Sequence, residues 1–119
     1  GAIESCIALS KKCSCVVAAT GKKDFISDGR KSAIIENGTE MFTKITGSGC
    51  MLGALCGAAC GASEDKFSAV VSAILSMNIA GEEAVKAANA PGSFRVKLMD
   101  CIYQLNEEKL KEGAKITWK

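Results

Sequence analysis

The chain has 119 residues, of which 48% are apolar, enough for one compact domain with a buried core. Its formal net charge is only +2 and its Lys and Arg residues do not cluster, which excludes the usual signature of nucleic-acid binding. No apolar run is long enough to cross a bilayer, and Glu4, Lys11 and Lys12 interrupt the first apolar stretch, unlike a secretory signal. We therefore expect neither a nucleic-acid nor a membrane partner.

Seven cysteines are distributed unevenly along the chain. They are Cys6, Cys13, Cys15, Cys50, Cys56, Cys60 and Cys101. An odd number without regular spacing does not indicate a disulfide framework. A structural zinc site is not expected, because the chain has no His and no Cys-x-x-Cys pair. We expect all except Cys50 to be small buried side chains in a reducing cytoplasm.

The first part of the chain is predicted to form one helix and several short strands. Apolar residues at helical spacing predict a helix over residues 2–12. The apolar run within Ser14–Thr20 predicts a strand covered on both faces, as in a parallel α/β sheet. Asp28-Gly29 is a hairpin turn signal, so residues 24–27 and 32–36 are predicted to pair across it.

The remainder is predicted to be mainly helical. Cys50–Ala62 is apolar or small on every side, which predicts a helix buried on most of its surface. Ser63 and Ser93 are the expected N-caps of two further helices. The other expected boundaries are an extended piece at Met41–Ile45, helix ends near Ala88 and Gly113, and an edge strand at Ile116–Trp118.

A short glycine-containing segment precedes the apolar helix. Glycines let the backbone approach a ligand closely, and the first N–H groups of a helix have no partner within it. Gly47, Ser48, Gly49 and Cys50 are therefore a candidate anion site, although Gly-x-Gly before a helix is also a common tight turn. The segment lacks the Gly-Lys-Ser/Thr ending of a Walker loop and the third Gly of a dinucleotide fingerprint.

Cys50 is the candidate reactive group of this segment. Its predicted place in the first turn of a helix favours the thiolate. A cysteine-protease function is excluded because the chain has no His to act as the base. A role as proton acceptor in phosphoryl transfer stays open, as does simple packing.

Several segments carry a resemblance to hydroxyethylthiazole kinases of the ribokinase-like superfamily. Lys44–Leu52 resembles their signature segment, in which Cys stands where other ribokinase-like kinases carry a catalytic Asp, as Cys50 does here. Val16–Gly21 resembles the family strand whose Thr contacts ATP, and Asn37-Gly38 resembles the turn before the signature. Ala90–Phe94 is similar to a family Gly-Pro-Gly-Ser-Phe segment, with Ala in place of the first Gly.

The resemblance implies an α/β, ribokinase-like layered fold, with residues 1–119 as the C-terminal portion of a single kinase domain. It implies transfer of the ATP γ-phosphate, with Mg²⁺, to the primary alcohol of 4-methyl-5-(2-hydroxyethyl)thiazole in thiamine biosynthesis or salvage. The enzyme is expected to be a cytoplasmic homotrimer with sites between subunits.

The resemblance also implies roles for individual residues. Cys50 corresponds to the catalytic base, the N–H groups of Gly47 to Cys50 to the anion hole, Gly47 to a substrate contact and Thr20 to an ATP contact. The other thiazole contacts and the acidic groups near the metal are expected in an N-terminal half, so no metal ligand is assigned. We expect the chain to act only with that half.

Three alternative functions remain. One is another ribokinase-like vitamin kinase, for example for hydroxymethylpyrimidine, although such enzymes usually have Asp at the Cys50 position. A second is a non-catalytic truncated subunit that binds a phosphate ligand or a partner chain. The third is a redox-sensing thiol at Cys50, which lacks a nearby resolving Cys.

Overall fold

The computed structural model describes all residues from 1 to 119. The helices are α1 (Ala2–Cys13), α2 (Ser48–Ala62), α3 (Lys66–Ala87), α4 (Pro91–Tyr103) and α5 (Glu107–Gly113), and the strands are β1 (Val17–Ala19), β2 (Asp24–Ser27), β3 (Ser32–Ile35) and β4 (Ile116–Trp118). A 3₁₀ helix, Glu40–Lys44, lies between β3 and α2. None of the helices combines the length and the apolar character that crossing a bilayer requires.

The four strands form one sheet in the order β1-β2-β3-β4, with every neighbouring pair antiparallel. The predicted hairpin is confirmed, because β2 and β3 pair from Asp24↔Ile35 to Ser27↔Ser32. The expected parallel strand covered on both faces is wrong. Only four residues connect β1 to β2, which is too short for a crossover, and β1 is a half-exposed edge strand.

Helix α3 is the central element of the packing. Its N-terminal half lies against β2 and β3, where Ile26, Ala33 and Ile35 meet Phe67, Val71 and Ile74 among others. Its C-terminal half packs on α4 through a second cluster consisting of Met77, Ala80, Ala84, Phe94, Leu98 and Cys101. One helix therefore connects the sheet to the remaining helices, and elements attached to it are held in fixed relative positions.

Two of the predicted helix caps are wrong. Asp65, not Ser63, is the N-cap of α3, and its carboxylate accepts a hydrogen bond from the N–H of Ser68 at 3.1 Å. Ala90, not Ser93, precedes α4, and Pro91 occupies the first helical position, where its missing N–H costs no helical hydrogen bond.

The expected single helix from Ser93 to Gly113 is in fact two helices. Gln104 ends α4, and Asn106 begins α5 as an N-cap whose side chain accepts a hydrogen bond from the N–H of Lys109 at 2.9 Å. The cap satisfies a donor that a new helix start leaves unpaired. The pattern of apolar residues alone did not reveal this interruption.

Residues 41–45 are also not extended as predicted. They belong largely to the 3₁₀ helix, whose start is stabilised by Thr39, because its Oγ1 accepts a hydrogen bond from the N–H of Met41 at 3.2 Å. Gly38 immediately before it has a φ of 135°, which redirects the chain as it leaves the sheet.

Helix α2 is a helix as predicted, but the prediction that it is buried is wrong for this chain. None of its residues is buried. One side packs against α3, with Leu52, Cys56 and Cys60 reaching the first core cluster. The opposite side carries Gly49, Gly53, Gly57 and Gly61, and a Cβ atom added to any of them would meet nothing within 4 Å.

The cysteines differ from one another more than expected. Cys6 and Cys101 are buried, as predicted. Cys56 and Cys60 are half-buried against the core, while Cys13 and Cys15 are exposed, so the prediction is wrong for these two. Cys13 is the last residue of α1, and Cys15 follows Ser14, which ends the helix in a left-handed conformation. All seven are free thiols.

Candidate active site

The segment between the 3₁₀ helix and α2 has the geometry of a tight turn into a helix. Gly47 is the N-cap of α2, with a φ of 91° that other residues rarely adopt. The first helical hydrogen bond runs from the N–H of Met51 to the carbonyl of Gly47 at 2.9 Å. The Ser48 hydroxyl donates to the carbonyl of Phe42 at 3.1 Å, which attaches this turn to the 3₁₀ helix.

Four consecutive N–H groups at this turn have no partner within the chain. The N–H groups of Gly47, Ser48, Gly49 and Cys50 take part in no backbone or side-chain hydrogen bond. No acidic residue occupies the first turn of α2, so the positive end of its dipole is not neutralised. Such a cluster of donors at a helix N-terminus suits a phosphate group.

Cys50 lies in the same turn as these donors. It is the third residue of α2, and it is exposed. Its thiol makes no hydrogen bond within the chain and is therefore available to a ligand. An exposed thiol beside a cluster of unpaired N–H donors is compatible with transfer of a phosphoryl group to an alcohol.

Thr20, the other residue that the sequence singles out, lies in a different part of the fold. It begins the four-residue turn Thr20–Lys23 between β1 and β2, all of which is exposed. The turn is closed by Asp24, whose Oδ1 accepts a hydrogen bond from the N–H of Gly21 at 3.0 Å. Asp24 itself is buried and accepts a second hydrogen bond from Asn78 of α3 at 2.6 Å.

Helix α3 connects these two segments. Asn78 donates a hydrogen bond to Asp24, the residue that closes the Thr20 turn. One turn later, Gly81 contacts Phe42 so closely that a Cβ atom there would lie 2.3 Å from its Cζ. Because Phe42 accepts the hydrogen bond from Ser48, the Gly47–Cys50 turn and the Thr20 turn are both fixed to residues 78–81. The structure shows no direct contact between the two turns.

A second polar cluster holds the chain before the Gly47–Cys50 turn. The buried amide of Asn37 donates to Glu82 at 3.0 Å and to the carbonyl of Gly113 at 2.7 Å, and it accepts from the N–H of Lys115 at 2.7 Å. Glu82 also accepts from the N–H of Gly38 at 3.1 Å. The Asn37-Gly38 turn is thus joined to α3 and to the approach to β4.

The segment Ala90–Phe94 supports the candidate site through the contact of Phe94 with Phe42. Ala90 has a φ of −129°, an extended conformation that does not require glycine, so Ala causes no backbone strain at this position. Phe94 is fully buried, and its ring meets that of Phe42 edge to face with centroids 5.7 Å apart.

Sequence reasoning missed Asp24, Asn78, Gly81 and Glu82. The one signal available was a charged residue at the start of the apolar stretch Asp24-Phe25-Ile26. The chain has no group of three or more acidic, Cys or His side chains that could hold a metal ion.

Comparison with known proteins agrees with the resemblance noted in the sequence. The sequence model of the hydroxyethylthiazole kinase family matches residues 1–108. The chain belongs to the hydroxyethylthiazole kinase family. It is 74% identical over 118 residues to the hydroxyethylthiazole kinase of Clostridium kluyveri, covering 99% of this chain and 44% of that protein. It is 56% identical to hydroxyethylthiazole kinase 2 of Clostridium botulinum strain Loch Maree, covering 99% of this chain and 45% of that relative.

A solved structure confirms the family fold. The hydroxyethylthiazole kinase of Pyrococcus horikoshii OT3 superposes with a TM-score of 0.95 at 37% identity, covering 99% of this chain and 46% of that protein. The predicted α/β fold class is therefore confirmed. The chain spans less than half the length of the family members that it matches.

Proposed function

We propose that this chain is the C-terminal part of an ATP-dependent kinase that phosphorylates the primary alcohol of 4-methyl-5-(2-hydroxyethyl)thiazole. The observation that carries the proposal is the turn Gly47–Cys50, where four unpaired N–H groups and an exposed thiol occupy the start of one helix. Family membership supplies the substrate, because the relatives are named for this alcohol.

The chain's own groups account for two parts of the reaction. The N–H groups of Gly47 to Cys50 stabilise the negative charge on the γ-phosphoryl oxygens while the phosphoryl group passes from ATP to the oxygen of the alcohol. The Cys50 thiolate accepts the proton of the alcohol while the new P–O bond forms and the bond to ADP breaks. In this proposal Gly47 also borders the alcohol, and Thr20 contacts ATP.

The remaining parts of the site are proposed to come from an N-terminal half of the same domain. Three observations support this. The chain covers 44% of its Clostridium kluyveri relative, it has no group of three or more acidic, Cys or His side chains that could hold a metal ion, and the outer side of α2 has no covering element. A homotrimer, use of Mg²⁺ and a cytoplasmic location follow from the family resemblance as further predictions.

A reconstituted kinase tests the proposal. This reconstituted kinase is the Clostridium kluyveri protein with its matched region replaced by this chain. We expect ATP-dependent phosphorylation of hydroxyethylthiazole in preference to hydroxymethylpyrimidine, and a trimer by sedimentation. Phosphorylation of the pyrimidine alcohol alone would favour the alternative vitamin kinase. Nucleotide binding without turnover would favour the non-catalytic subunit, and turnover by the isolated chain would refute the need for a second half.

A further inference from the structure

We propose that Asp24 is a positioning residue for the nucleotide, because its carboxylate fixes the Thr20 turn to helix α3. The inference rests on the proposed function in one respect, namely that Thr20 contacts ATP. Asp24 itself is not placed in contact with the substrates. Its role is to set where the Thr20 turn stands relative to the anion-binding turn at Gly47–Cys50.

Both carboxylate oxygens of Asp24 are engaged, each with a different element. Oδ1 accepts the N–H of Gly21 within the turn at 3.0 Å, and Oδ2 accepts the side-chain amide of Asn78 on α3 at 2.6 Å. Asp24 is 4% exposed and Asn78 is 7% exposed, so water does not replace these bonds easily. The carboxylate is therefore a bridge between an exposed turn and the central helix.

The bridge is costly for folding, which indicates a purpose other than closing a turn. No Lys or Arg forms an ion pair with Asp24. A buried carboxylate that has only neutral donors carries a desolvation penalty. A buried carboxylate that lowers the stability of the fold beside a proposed binding turn is better explained by its positioning of that turn than by a contribution to stability.

The turn at the other end of β2 offers an internal comparison. Asp28 closes the turn between β2 and β3 by accepting the N–H groups of Arg30 and Lys31 at 2.9 and 2.8 Å. Its bonds are all local and it is more exposed than Asp24. Closing a hairpin turn thus requires no hydrogen bond to α3. The Asp28 turn reaches that helix through Lys31, whose Nζ lies 5.1 Å from the centroid of the Phe67 ring, and only the Thr20 turn is hydrogen-bonded to it through its closing carboxylate.

Little else holds the Thr20 turn. Its four residues are exposed, and its only other side-chain attachment is an exposed ion pair between Lys23 and Glu36 at 3.4 Å. Asn78 lies one helical turn before Gly81, against which Phe42 and the anion-binding turn are seated. Loss of the Asp24 bridge would therefore free Thr20 relative to Gly47 while leaving the latter in place.

Steady-state kinetics of the reconstituted kinase test the inference. We expect Asp24→Ala to raise the KM for ATP about tenfold and to change the KM for the thiazole alcohol by less than about twofold, because a misplaced ATP contact weakens one substrate only. Asp28→Ala is the matched control and should leave both KM values unchanged. The double variant Asp24→Asn with Asn78→Asp should regain most ATP affinity, since it reverses the donor and the acceptor but keeps both hydrogen bonds.

Direct binding of a fluorescent ATP analogue separates this inference from the proposed function. If the parent binds the analogue without transferring phosphate, the proposed function fails. If Asp24→Ala then binds the analogue more weakly than the parent and Asp28→Ala binds it equally well, the positioning role still stands. Equal ATP affinity in the parent and Asp24→Ala, or a parallel loss for both substrates, would overturn the positioning role. If Asp24→Ala does not fold, the same split between the two KM values is measured with Asn78→Ala.

Discussion

At the scale of single residues, the candidate site depends on backbone donors and one side chain. The N–H groups of Gly47 to Cys50 persist whatever side chains are present, as long as Gly47 keeps its φ of 91°. In the proposed reaction the thiolate of Cys50 is the group in this turn that accepts the proton of the alcohol. Binding and proton transfer can therefore be separated by substitution.

Cys50→Ala should remove the proton acceptor and leave the anion-binding turn intact. In the reconstituted kinase we expect kcat to fall by roughly a factor of 100 to 10,000, while the KM for ATP stays within about twofold. Cys13→Ala removes another exposed thiol and serves as the control. A kcat that survives Cys50→Ala would show that the base lies elsewhere.

The pH dependence of stability should reveal the buried state of Asp24. Burial raises the pKa of its carboxyl group, and the hydrogen bonds from Gly21 and Asn78 only partly oppose this. A group whose pKa is raised on folding contributes stability that is present below its unfolded pKa and is lost as pH rises through its folded pKa. The Tm of the parent relative to Asp24→Asn should therefore fall as pH rises above about 3.9, the ordinary aspartate value.

Asp28→Asn should show the opposite pH dependence of Tm, relative to the parent, when it is measured in the same way. Desolvation raises the pKa of Asp28, but the hydrogen bonds from the N–H groups of Lys31 and Arg30 outweigh it, so the net pKa is lowered. Its contribution is present at neutral pH and is lost as the solution is acidified through the folded pKa. Identical pH trends for the two variants would contradict the different environments of the two carboxylates.

At the scale of elements, α3 determines the relative position of everything that surrounds the candidate site. The 3₁₀ helix contacts it through Phe42, the Thr20 turn through Asp24 and the Asn37-Gly38 turn through Glu82. These attachments fall within residues 78–82, less than two turns of one helix. A change in this stretch should affect several turns together.

Gly81→Ala is the sharpest test of this arrangement. A Cβ atom at Gly81 would lie 2.3 Å from Cζ of Phe42, so the ring must move. We expect a loss of about 1–3 kcal/mol in the free energy of unfolding, as for other overpacked sites, together with a lower kcat because Phe42 anchors Ser48. Urea unfolding and the kinase assay measure the two effects.

Gly92→Ala is the matched control for that substitution. Gly92 lies in the first turn of α4, and a Cβ atom there would meet nothing within 4 Å. Its replacement should leave the unfolding free energy unchanged or slightly higher, since Ala favours helix over Gly. Equal losses for both glycines would contradict the close contact of α3 with the 3₁₀ helix.

At the scale of the whole molecule, the outer side of α2 is the least complete surface of the chain. Its row of glycines permits very close approach by another element, but nothing in this chain occupies that space. The proposed N-terminal half explains the row, because a covering element would pack directly on the helix backbone.

Gly57→Ala should therefore have opposite effects in two contexts. In the isolated chain it should raise helical stability by up to about 1 kcal/mol, because Ala replaces Gly in an open helical position. In the reconstituted kinase it should lower stability by about 1–3 kcal/mol, because the new methyl group meets the covering element. Urea unfolding of both proteins measures this, and a gain in both would show that the face stays uncovered.

The sequence by itself determined the features that depend on near neighbours. Asp28-Gly29 predicted the hairpin, apolar periodicity predicted α1 and α3, the continuous apolar run from Cys50 predicted α2, and glycine spacing predicted the turn at Gly47. Hydrogen bonds within a few residues decide such features, so a short stretch of sequence contains the information. The break before α5 also had a local signal at Asn106, which the longer apolar pattern obscured.

Only the tertiary structure decided which distant residues support the site. Asp24 and Asn78 are 54 positions apart, and nothing in either segment indicates the other. The contact of Gly81 with Phe42 and the exposure of α2 likewise depend on how elements pack. The alternation or helical period of a segment predicts that it has an apolar face. The element that covers that face is decided by the packing of the whole domain.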